Sequence, residues 1–123
     1  YWLWEPATQT VIHTLTIQRG QALMAGGTVA PDAKEFELIA RQGDPYYGIS
    51  SNPFLEHAFK TVEFRIKVRI NDDGTWGYSE DTVMQIQGLS EPFHHTDDNI
   101  LRKVGEPTPN PLALAAQTAG ASI

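Results

Sequence analysis

The chain contains no cysteine, so disulfide frameworks, thiolate zinc sites and thiol nucleophiles are excluded at once. It has no apolar run near the roughly 20 residues that a membrane-spanning helix needs. Its opening, "YWLWEPATQT", has neither the basic start nor the apolar centre of a secretory leader, and a cytoplasmic location is the expectation. Positive charge is scarce: nine Lys and Arg stand against fifteen Asp and Glu, a net charge of -6. The cations are scattered, which argues against a nucleic-acid partner and against a membrane-surface role. No Gly-rich phosphate loop is present, and no Ser stands in a nucleophile-elbow context. A long helix is missing as well. The 123 residues suffice for one domain with one core.

What is present is period two. In "TVEFRIKVRI", Val62, Phe64, Ile66, Val68 and Ile70 share one face, while Glu63, Arg65, Lys67 and Arg69 share the other. "NDDG" supplies a turn with Gly74 at its positive-φ position. The return strand puts Trp76, Tyr78, Thr82, Met84 and Ile86 on one face, and Asp81, Gln85 and Gln87 on the other. The spacing predicts a long antiparallel hairpin with Phe64, Ile66 and Val68 inside. Upstream, "TVIHTLTI" places Val11, His13, Leu15 and Ile17 together. Turn signals at Arg19-Gly20 introduce "QALMAGGTV" and then "KEFELIAR" as further strands, and Gly26-Gly27 reads as a bulge. Tyr1 to Trp4 reads as the end of a strand. "GDPYYGISSNPFLEHAFK" reads as a loop with one helical turn from Pro53 to Phe59, and "NILRKV" as the closing strand. The expected fold is all-β: an antiparallel up-and-down barrel of lipocalin type over residues 1–104, with a sandwich as the second choice. Residues 105–123 read as a Pro- and Ala-rich tail, mobile or lying on the surface. Small Thr82 and pliable Met84 on the inner face favour a ligand cavity, although the same residues serve equally to fill a core.

Chemistry concentrates on histidine. The pairs Asp72-Asp73 and Asp97-Asp98 read as turn residues. His57 reads as a surface group of the helical turn, and His13, between Val11 and Leu15, as a satisfied core histidine. His94 and His95 are adjacent in "EPFHHTDDNILRKV". In extended backbone they point to opposite faces, so they do not chelate one ion together. One faces inward, where a neutral imidazole at an apolar mouth suits a haem iron; the plainer reading is a capping turn.

Three stretches, "YWLWEPATQTVIHTLTIQRG", "VEFRIKVRINDDGTWGYSEDTVMQI" and "EPFHHTDDNILRKV", resemble in order and spacing the nitrobindin-like (THAP4-type) haem-binding β-barrels, also labelled fatty-acid-binding-protein-like. The similarity runs from Tyr1 to Val104. It implies a ten-stranded barrel around one haem b, with nitric oxide binding or isomerisation of peroxynitrite to nitrate. The proximal ligand and metal contact fall on His95, with His94 the alternative because the spacing to Ile100 and Leu101 is one residue longer than in the family. The cofactor lining implied comprises His13, Leu15, Ile17, Phe64, Thr82 and Met84. The family's opening Gly-Trp-Gly strand region has no counterpart, and the chain does not open with Met. About seven strands are therefore expected, with unpaired edges that pair with a second copy. The competing expectations are a metal-free carrier of an apolar small molecule such as a fatty acid, and an interaction module that adds a strand at its edge. Arg65 and Arg69 face outward, which counts against the carrier.

Overall fold

The computed structural model describes residues 1–118 and consists of one antiparallel sheet with two short helices. In chain order the elements are β1 (Trp2–Glu5), β2 (Thr10–Ile17), β3 (Gln21–Thr28), β4 (Glu35–Arg41), β5 (Ile49–Ser51), α1 (Pro53–Ala58), β6 (Phe59–Ile70), β7 (Trp76–Ile86), β8 (Phe93–Leu101) and α2 (Pro111–Thr118). The sheet runs β1-β2-β3-β4-β6-β7-β8, with β5 added to β3. β1 and β8 do not pair with each other, so the sheet curves without closing.

The hairpin expected from the alternation is present. Ile70 pairs with Trp76 and the register continues to Phe59 opposite Ile86. The turn is fixed by Gly74, whose φ is 80°, and by Asp73, whose carboxylate accepts from the Thr75 amide at 2.9 Å. Phe64, Ile66 and Val68 are 2% exposed or less and pack with Leu38, Ala40, Leu23 and Ala25 from β4 and β3. Full burial of side chains of this size stabilises by about 1.5–3 kcal/mol each. On the outer face Arg65 pairs with Glu37 at 2.8 Å and with Glu63 at 2.9 Å, and Lys67 pairs with Glu35. The hydrogen bond from Arg65 is the main reason that the Glu63 carboxyl sits below its ordinary range.

Several expectations are corrected. Gly26-Gly27 is not a bulge: its ladder with β2 is continuous, Gly27 opposite Val11 and Gly26 opposite Ile12. The missing side chain makes room for another residue, because a Cβ on Gly26 would lie 2.1 Å from the Tyr47 ring. The bulge falls instead between Thr61 and Glu63. It shifts the alternation by one, so Thr61, and not Val62, continues the buried row. The segment expected to be all loop contains β5, which makes eight strands in place of seven. Asp97-Asp98 is not a turn but lies within β8, opposite Glu80 and Ser79. The closing strand begins at Phe93, well before "NILRKV", and ends at Leu101. In the tail, residues 111–118 form α2, with Asn110 accepting from the Leu112 amide at 3.0 Å; residues 119–123 lie outside the described residues.

The Tyr47 backbone is held on both sides, its amide by Asp44 at 2.9 Å and its carbonyl by the Arg41 amide at 2.8 Å, so the ring has little room to retreat. Gly26→Ala is expected to cost about 1–3 kcal/mol through overpacking. Gly105→Ala, with open space around it, should stay within about 0.5 kcal/mol of the parent. Urea unfolding of the two variants checks both values, and equal midpoints would remove the Tyr47 cradle from the account.

Candidate functional site

The concave face carries the inner rows of β6 and β7 and, because strands alternate, the matching row of β8. Thr82 is the cross-strand partner of His95, Glu80 of Asp97, Tyr78 of Asn99 and Met84 of Phe93. His95 therefore stands on the concave face. His94, opposite Val83, stands on the convex face, where its Nδ1 lies 2.8 Å from the Asp81 carboxylate. Every residue of β8 is exposed, since the strand has a neighbour only on the β7 side.

A cavity of about 350 Å³ opens at one end of the concave face, lined by Ile17, Arg19, Gln21, Leu55, Phe59, Thr61, Thr82, Met84 and His95. Four expected residues, Ile17, Thr82, Met84 and His95, thus meet around one space. Arg19 comes from the β2–β3 turn, where Gly20 adopts a φ of 91° and the Asn52 amide donates to the Arg19 carbonyl at 2.7 Å. The helix α1 closes the same end. Asn52 caps it by accepting from the Leu55 amide at 2.9 Å, Pro53 opens it, and Gln42 holds Glu56 at 2.9 Å. That turn brings Leu55 over the cavity.

The other expected residues lie elsewhere. Phe64 is buried in the core and does not line this cavity. His13 and Leu15 belong to a separate depression toward the middle of the sheet, with Tyr78 and Glu80. His13 is buried, stacked against Trp2 with ring centroids 4.1 Å apart, and its Nδ1 lies 3.2 Å from the Tyr1 carbonyl oxygen. Burial pushes its pKa down, the carbonyl contact opposing. It is a satisfied core histidine. His57 is exposed in α1. Among the described residues, His95 is the imidazole that both lines a cavity and makes no hydrogen bond to protein. A third apolar cavity, of about 310 Å³ and bounded by Trp2, Trp4, Phe36 and Trp76, lies at the opposite end of the strands and contains no imidazole.

Sequence reasoning missed five residues of this cavity, Arg19, Gln21, Leu55, Phe59 and Thr61, and Glu80 of the neighbouring depression. Arg19 was hidden in a turn, and Gln21 and Thr61 were hidden by the bulge and by β5. Glu80 falls between Tyr78 and Thr82 on the inner row, and its place in the alternation would have found it. Burial, and then the neighbouring Asp97 charge, raise the Glu80 carboxyl above its ordinary range. No three His, Asp or Glu side chains among the described residues converge into a metal chelate. A haem asks less of the protein: one neutral imidazole, an apolar wall and a cation for its carboxylates. His95, the row Ile17, Leu55, Phe59 and Met84, and Arg19 would supply a ring nitrogen, an apolar wall and a cation for such a group.

Residues 1–103 match the family model of the THAP4-like, heme-binding beta-barrel domain. No curated protein and no solved structure matches the chain.

The depressed pKa of His13 has a consequence for stability. The folded state favours the neutral ring, so the unfolded chain binds more protons as the pH drops below the ordinary value of 6.5. Stability should be full above 6.5 and fall as pH passes down through the lower folded value. Urea unfolding at a series of pH values should show that fall for the parent and a flatter profile for His13→Phe. Identical slopes would mean that His13 is not the titrating group.

Proposed function

The chain belongs to the THAP4-like haem-binding β-barrel family, and from that premise we propose that it binds haem b in the cavity beside α1, with His95 as the axial ligand. The observation that carries this reading is the imidazole of His95, without a hydrogen bond to protein, at a cavity whose other wall is formed by Ile17, Leu55, Phe59 and Met84. When bound, haem supplies the redox and ligand-binding chemistry toward nitric oxide or the isomerisation of peroxynitrite. The chain's own residues bind, orient and exclude water. The parity of β8 points His95 inward and commits His94 to Asp81 on the other face. Thr82, directly opposite His95 in the ladder, limits the directions the ring can take. Ile17, Leu55, Phe59 and Met84 keep the space poor in water, which strengthens every polar contact within it. Arg19 would supply a cation for the carboxylates of the cofactor. The same reading assigns a small molecule as the ligand, and a second copy of the chain as the partner of the unpaired β1 and β8 edges.

Arg19 also favours a second reading, a metal-free carrier of a fatty acid, because it supplies the cation that Arg65 and Arg69 cannot. Both of those are engaged on the outer face, Arg65 with Glu37 and Glu63 and Arg69 with Ser79.

The test is a titration of the purified chain with hemin. The parent should develop a Soret band, His95→Ala should lose or strongly shift it, and His94→Ala should leave it nearly unchanged. Loss of a direct ligand ought to exceed the ~10–100-fold affinity cost typical of groups one step removed from a metal. A reversed result would exchange the two histidines. Parent-like spectra from both variants, together with fatty-acid binding that Arg19→Ala abolishes, would establish the carrier.

A further inference from the structure

The cavity beside His95 contains a hydrogen-bond donor that the protein itself does not use. Gln21 and Thr61 line it and are buried, 6% and 2% exposed. The Gln21 amide nitrogen lies 2.9 Å from Ser51 Oγ and 2.8 Å from Thr61 Oγ1. A primary amide has two hydrogens, and both are spent on these two oxygens. Thr61 is therefore the acceptor in its contact, and its own hydroxyl proton points away from Gln21. Among the described residues that proton has no acceptor.

As an acceptor the Thr61 oxygen is satisfied, and its hydroxyl keeps one donor for a further partner. The backbone goes further. Regular alternation back from Phe64 would turn Val62 inward, and the bulge between Thr61 and Glu63 brings in Thr61 instead. Bulges recur beside functional sites because they re-aim a side chain in this way. Three features thus act together: a bulge that turns a hydroxyl inward, an amide that biases its rotation, and a cavity shared with the His95 imidazole.

We propose that the Thr61 hydroxyl, aimed by Gln21 and anchored through Ser51, donates a hydrogen bond to the outer atom of a small ligand held in the cavity with His95. The class it fits is a diatomic gas with a lone pair on its far atom. The inference rests on the haem reading, and it adds a ligand-orienting residue two strands in from the axial one.

The full chain, loaded with hemin, reduced and exposed to carbon monoxide, tests it through the C–O stretching band. A donor at the far oxygen lowers that frequency, so Thr61→Val should raise it, while Thr61→Ser should hold it near the parent. Nitric oxide should leave Thr61→Val about five-fold faster, the factor expected from one neutral hydrogen bond. Gln21→Met retains the hydroxyl but frees its rotation, and should broaden or split the band even if Thr61→Val fails to fold. A Thr61→Val protein that binds hemin and keeps the parent band overturns the assignment. That is also the result expected if the Gln21 amide is turned so that its oxygen takes the Thr61 proton. A single unshifted band in Gln21→Met overturns it too. A parent chain that leaves hemin free, with no Soret band, overturns the haem reading first and this proposal with it.

Discussion

The buried row Phe64, Ile66 and Val68 sets the register of the sheet and hence the direction of nearly every side chain at the site. β6 is paired on both sides, with β4 through Ala40 opposite Phe64 and Leu38 opposite Ile66, and with β7 through Thr82 opposite Phe64 and Tyr78 opposite Val68. Because the side-chain period is two, sliding β6 by one residue would expose three large apolar groups and bury Arg65 and Lys67. Such a slip forfeits several kilocalories per mole of apolar burial. β7 is locked by that penalty, and β8 inherits its parity from β7. His95 faces the cavity and His94 faces Asp81 because Phe64 is in the core, two strands away.

The outer-face charges reinforce the same register more weakly. Exposed ion pairs such as Arg41–Glu63 and Arg65–Glu37 contribute little each, but a two-residue slip in one direction would set Arg41 opposite Arg65. The concave face shows the reverse situation. Glu80 faces Asp97 directly across the β7–β8 ladder, a pairing that opposes the strands. It is relieved in two ways: Asn99 donates to both Asp97 and the Tyr78 hydroxyl, at 2.8 and 2.9 Å, and the raised pKa of Glu80 makes its charge easier to lose.

How much of this was legible in the sequence follows from how many faces of a segment are constrained. β6, with core on one side and solvent on the other, writes its alternation plainly, as do the β6–β7 hairpin and the Val11–Ile17 row. β8 is exposed on both faces, so Asp97 and Asp98 carry no pattern and read as turn residues. β5 is three residues long and is held by Gln21 reaching Ser51 across thirty positions of chain, a relation no local window contains. The bulge at Thr61 leaves no mark of its own, because Val62 is as good an inward residue as any. Gly26 was seen as special, but its reason, the Tyr47 ring, comes from a distant loop. At the cavity, the residues on regular strands (Thr82, Met84, His95) were foreseen, while Arg19, Gln21 and Thr61 depend on a turn, a long-range pair and a bulge.

That division bears on how the site works. His95 sits on an edge strand held by one neighbour, and such elements open at lower free energy than the core. Gln21 and Thr61 sit in the buried interior, fixed by each other and by the packing around Phe64. A ligand touching both would join the least secured strand to the most secured part of the sheet, and its binding free energy would be added to the cohesion of β8. Selectivity then separates cleanly by location. On the proposed reading, the edge would contribute a ligating nitrogen whose approach can adjust to the occupant, and the interior a hydroxyl held more firmly by its buried partners.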